Sequence, residues 1–139
     1  MKLLAIMLAS TVMMADSSPT DYKTAYQKAQ KGDKPLLVLV TAEWCPPCRV
    51  MKQTTIPELM RKNAFQNFHY ATVDLNADEK LARQLIGNRG VPQIIMFEKK
   101  DNRWVRRYLR GIQTTGSVEA FMAQAESVRT ANAAPTNSK

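Results

Sequence analysis

The chain has 139 residues, 45% of them hydrophobic and 23% charged, with a formal net charge of +8. That length supports one globular domain and excludes two of ordinary size. No apolar run downstream of Ala15 is long enough to cross a bilayer, which excludes a membrane-spanning body.

The chain opens with Lys2 and an apolar stretch, Leu3 to Ala9, followed by uncharged Thr11 to Ala15. This short basic region and apolar region have signal-peptide polarity and length. Residues 1–15 are expected to be a signal peptide ending at Ala15, with a short uncleaved anchor as the alternative. A periplasmic or otherwise exported protein follows. Removal of this segment takes away only Lys2 and leaves a net charge of +7.

Residues 16–131 are expected to form the folded domain. Asp16 to Thr20 reads as a linker. Asp21 can cap a helix whose apolar face is Tyr22, Ala25, Tyr26 and Ala29, and Gly32 suits its end. Leu36 to Val40 is an unbroken apolar run that reads as a strand covered on both faces. A helix is expected after Cys48. Thr54, Thr55 and Ile56 are weak helix formers before Pro57, so a break is expected there, with Pro57 opening a second short helix to about Asn63. Phe68 to Val73 reads as a strand ending at Asp74, and Asp78 to Leu85 as a helix. Gln93 to Phe97 is a third strand, Lys99 to Arg103 a hairpin turn, and Trp104 to Leu109 the returning strand. The last helix presents Val118, Phe121, Met122, Ala125 and Val128 on one face. Residues 132–139 read as a disordered tail. The elements imply an α/β fold: a mixed sheet of about four strands with helices on both faces.

Arg103, Arg106, Arg107 and Arg110 form a basic stripe. No nucleic-acid motif accompanies it, so it reads as a solvated edge strand guarded by charge, with no nucleic-acid partner.

Cys45 and Cys48, three positions apart, are the two cysteines of the chain. A disulfide between them closes too small a loop to staple a fold, so chemistry explains them better. A cysteine that follows a strand and opens a helix sits among free backbone N–H groups, which stabilise its thiolate, the attacking species. Pro46 and Pro47 stiffen the turn. Cys45 is therefore expected to be the exposed nucleophile and Cys48, one turn deeper, the resolving thiol. Zinc needs about four ligands, and the chain adds only His69 to its cysteines. A copper carrier using Cys45, Cys48 and His69, or a non-catalytic binding module, stands as the alternative.

Ala42-Glu43-Trp44-Cys45-Pro46-Pro47-Cys48-Arg49 resembles the thioredoxin active-site segment. Arg89-Gly90-Val91-Pro92, with Pro92 44 residues after Cys48, resembles the loop that holds a cis-proline in the same superfamily. The resemblance covers about residues 21–130. It implies a thioredoxin-like three-layer fold and a thiol–disulfide oxidoreductase of the protein-disulfide reductase type. It further implies that Trp44, Val91 and Pro92 shape a substrate groove. Thioredoxins proper carry a buried aspartate six residues before the first cysteine, where this chain has Leu39. Asp74 is the candidate replacement as proton acceptor. Pro46-Pro47 is similar to tryparedoxins, and the break near Pro57 to exported bacterial disulfide reductases. Such a protein would act as a monomer on protein thiols and disulfides, with a redox protein as electron donor or acceptor. It would need neither metal nor organic cofactor.

Overall fold

A computed structural model describes residues 21–32 and 34–133. The expected signal peptide and residues 134–139 of the expected tail lie outside the described residues.

Helix α1, Tyr22–Lys31, starts where the Asp21 carboxylate accepts the Thr24 N–H at 3.0 Å, and it buries Ala25 and Ala29. Strand β1, Leu36–Thr41, is buried throughout, as its unbroken apolar run requires. It pairs in parallel with β2, His69–Asp74, and antiparallel with β3, Gln93–Lys100. Strand β4, Arg103–Arg110, pairs antiparallel with β3 and forms one edge of the order β2-β1-β3-β4. Asp101 and Asn102, both at positive φ, make the hairpin turn. That turn is shorter than expected because both residue types tolerate left-handed backbone and permit a two-residue loop.

Alternate side chains of β1 face opposite layers. Leu37 and Leu39 join a core built with Met51, Leu59, Phe121 and Met122. Leu36, Val38 and Val40 join a second core with α1 and with α4, Glu79–Ile86. Helix α5, Thr115–Ala133, supplies Val118, Phe121, Met122 and Ala125 to the first core. The side chain of Val128 is not among those described.

The expected break before Pro57 does not occur. Helix α2, Pro46–Val50, runs through a π-helical turn, Met51–Thr55, into α3, Ile56–Arg61. The Ile56 N–H reaches back to Met51 O, a wider step than the α-helical one, and Pro57, lacking an N–H, falls in the first turn of α3. Thr55 is buried and donates its hydroxyl to Gln113 O at 3.0 Å. That tertiary bond offsets its poor helix propensity. Asn63 then turns left-handed into a short 3₁₀ turn, Ala64–Asn67, that its sequence did not announce.

Candidate active site

The carboxyl ends of β1 and β2 and the start of α2 meet at the two cysteines. Cys45 is the N-cap of α2 and holds extended backbone geometry. Pro46 and Pro47 occupy the first helical positions and offer no N–H. The first free donor is therefore Cys48 N–H, which points at Cys45 Sγ from 3.2 Å. Cys45 and Cys48 are joined as a disulfide, with Cα atoms 5.3 Å apart. An N–H held on the sulfur is what a thiolate at that position would need.

Val91–Pro92 is a cis peptide. Val91 O lies 3.7 Å from Cys45 Sγ; in the disulfide that sulfur has no proton to donate, so this is a contact. Ala42, Cys45 and Cys48 form a small buried cluster against Leu75 and Val91. Cys45 was expected to be exposed. It is only 2% exposed and Cys48 is fully buried, because the Cys45 side chain turns back onto its own helix and under Val91. The order of depth is as expected; the accessibility of the disulfide form is not. Trp44, by contrast, is 64% exposed beside the site.

Leu39 is fully buried within the first core. Asp74 ends β2 opposite Thr41. One of its oxygens accepts the Asn76 N–H at 2.8 Å; the other takes the Thr41 hydroxyl at 3.3 Å and lies 4.0 Å from Lys52 Nζ. His69 sits at the opposite end of β2, paired with Leu36, five residue steps or roughly 17 Å from Asp74. The three-ligand set of Cys45, Cys48 and His69 is therefore not brought together. Burial first, then Lys34 and Lys28, lowers the His69 pKa.

Several residues of the site went unread in the sequence. Gln93, buried immediately after Pro92, donates its amide to Gly90 O at 2.8 Å and braces the cis-proline loop. A polar residue heading an apolar strand was its one signal. Asn76 accepts the Glu43 N–H at 3.0 Å, and Gly111 N–H reaches Pro92 O at 2.9 Å. These bonds tie the loops on either side to the cysteine turn.

Residues 16–99 match the Thioredoxin_7 model, described as thioredoxin-like. The chain belongs to the thioredoxin-like family. A thioredoxin of Alicyclobacillus acidocaldarius is 33% identical over 99 residues, covering 70% of this chain and 88% of that protein. The crystal structure of chloroplastic thioredoxin z superposes with a TM-score of 0.64 at 16% identity, covering 84% of this chain and 99% of the other. A thioredoxin from Thermus thermophilus gives 0.61 at 20% identity, covering 81% and 87%. This thioredoxin-like protein is a thiol–disulfide oxidoreductase with a Cys-x-x-Cys site at Cys45 and Cys48. Among its described residues no helix is long and apolar enough to cross a membrane.

Proposed function

We propose that the protein reduces disulfides of other proteins, with Cys45 as the attacking thiol and Cys48 as the resolving one. The observation that carries this is the placing of Cys45 Sγ at a helix start, under the Cys48 N–H and beside the Val91 carbonyl. In the reduced form the Cys45 thiolate attacks one sulfur of the substrate disulfide. A Cys45–substrate bond forms, the substrate bond breaks, and the departing thiolate takes up a proton. Cys48 then gives up its proton, attacks Cys45 Sγ and expels the second substrate thiolate. Two electrons pass to the substrate, and a donor redox protein restores the dithiol. The exchange calls for no metal or organic cofactor. Trp44, Val91 and Pro92 border the groove, where the Val91 backbone can pair with an extended substrate segment. Asp74 accepts the Cys48 proton.

Division of labour between the sulfurs is the test. Cys48→Ser should accumulate mixed disulfides, visible as reducible high-mass bands after acid quenching. Cys45→Ser should give none. Equal trapping by both variants, or none by either, refutes the assignment. The reading extends to export, on the strength of residues 2–15. N-terminal sequencing of protein from cell fractions should find a mature start near Asp16, and intact Met1 on cytosolic protein would refute export.

A further inference from the structure

The arginines of β4 do not form one stripe. Arg107 points to the α5 side, where its guanidinium meets the buried Glu98 carboxylate at 2.7 Å. Arg106 and Arg110 point to the other side and are exposed. On that side the cross-strand partners of the hairpin are Lys99 with Trp104, Phe97 with Arg106, Ile95 with Tyr108, and Gln93 with Arg110. Three cations there lie over rings: Lys99 over Trp104 at 5.5 Å, Arg106 over Phe97 at 5.3 Å, and Arg89 over Tyr108 at 5.2 Å. None of Arg89, Lys99, Arg106 and Arg110 takes part in an ion pair among the described residues. Gln93, Ile95 and Phe97 are buried on this side, so its open part is β4 together with Lys99 and the preceding Arg89; it carries four cations, and neither strand presents an acid there.

This ladder ends at the redox site. Arg89 is two residues before Val91, Arg110 pairs with Gln93 beside Pro92, and Gly111 is bonded to Pro92 O. From Arg110 to Arg106 is four residues, about 14 Å of strand. Resting on rings orders the cations while leaving their N–H edges free for carboxylates. A nucleic-acid platform needs open ring faces for bases; here each ring already holds a cation and Phe97 is buried.

We infer that this face of the β3–β4 hairpin docks an acidic, extended segment of the substrate protein adjoining its disulfide. The inference rests on the protein-disulfide reading above and names the substrate class. An extended chain presents alternate side chains to one side, so acids four residues apart would meet Arg110 and Arg106, and one midway between them would meet Arg89 over Tyr108, with the disulfide at Cys45.

The test uses the dithiol form of the full protein and three peptides sharing one intramolecular disulfide. Each carries a six-residue extension of alternating Glu-Ser, Gln-Ser or Lys-Ser, placed on either side of the disulfide. The second-order rate of protein oxidation is followed by acid quench and alkylation. At about 10 mM ionic strength, with a Debye length of about 30 Å, the Glu peptide should react about tenfold faster than the Gln peptide. At about 1 M salt the two should agree within about twofold. The Arg106→Gln/Arg110→Gln double variant should lose the advantage and keep the wild-type rate with the Gln peptide. Equal Glu and Gln rates at low salt, or an advantage that survives salt or the double variant, would overturn the inference. A thymidine oligonucleotide that slows the Gln peptide, with no Glu advantage, would assign the face to nucleic acid and also overturn it. If no peptide, the Gln one included, oxidises the protein, the protein-disulfide reading itself fails.

Discussion

Asp74 ends β2 with both carboxylate oxygens engaged, by Asn76 N–H on one side and by Thr41 and Lys52 on the other. A proton passed to it from Cys48 would therefore enter a network that also holds the turn after β2. Asp74→Asn keeps the shape of the side chain and removes its capacity to accept that proton. Mixed-disulfide formation should run at the wild-type rate, and its resolution should slow by about a hundredfold or more, the usual scale of a lost general base. Rapid-quench measurement of the two steps checks this, and unchanged resolution would leave Asp74 a structural residue only. At this scale the cysteine pair and the Val91-Pro92 loop were legible because their chemistry shows in residue type and spacing. Gln93, Asn76 and Gly111 were not, since each acts through a bond to a residue distant in the chain or to a backbone atom.

Among the elements, β1 and α1 could be read from apolar pattern alone because nothing else competes for their residues. The helix from Pro46 to Arg61 could not. Its continuity depends on a π turn and on the Thr55 bond to Gln113, which local propensity does not contain. Strand β4 was legible as an edge, but the charge stripe on it was misread as uniformly solvated. Side chains alternate along a strand, so Arg107 enters the molecule and meets Glu98, which is 4% exposed. Removing one partner of such a pair strands a buried charge. Arg107→Met should cost about 3 kcal/mol, the low end of that range because Arg107 keeps some solvent contact. Adding Glu98→Met should recover most of it. Urea unfolding of the two variants decides, and a single-variant loss under about 1 kcal/mol would show the pair to be no stronger than a surface one.

Across the whole molecule, the redox centre and the cores that hold the fold are separate. Two large apolar clusters lie on opposite faces of the sheet, while the disulfide belongs to a third, small one at the end of the strands. The ring closed by Cys45 and Cys48 spans a separation of three residues. In the chain-entropy view such a ring contributes about 2 kcal/mol at most, far less than a long-range cross-link. An oxidoreductase that cycles must stay folded in both states, and this arrangement permits it: breaking the disulfide opens no core and releases no element of the sheet. Reduction with dithiothreitol should therefore leave far-UV circular dichroism unchanged. It should lower the unfolding free energy by no more than about 2 kcal/mol, read from urea curves of the oxidised and reduced forms. Loss of ellipticity on reduction would mean that the disulfide is a staple after all, and that the thiol form is not a working state of the protein.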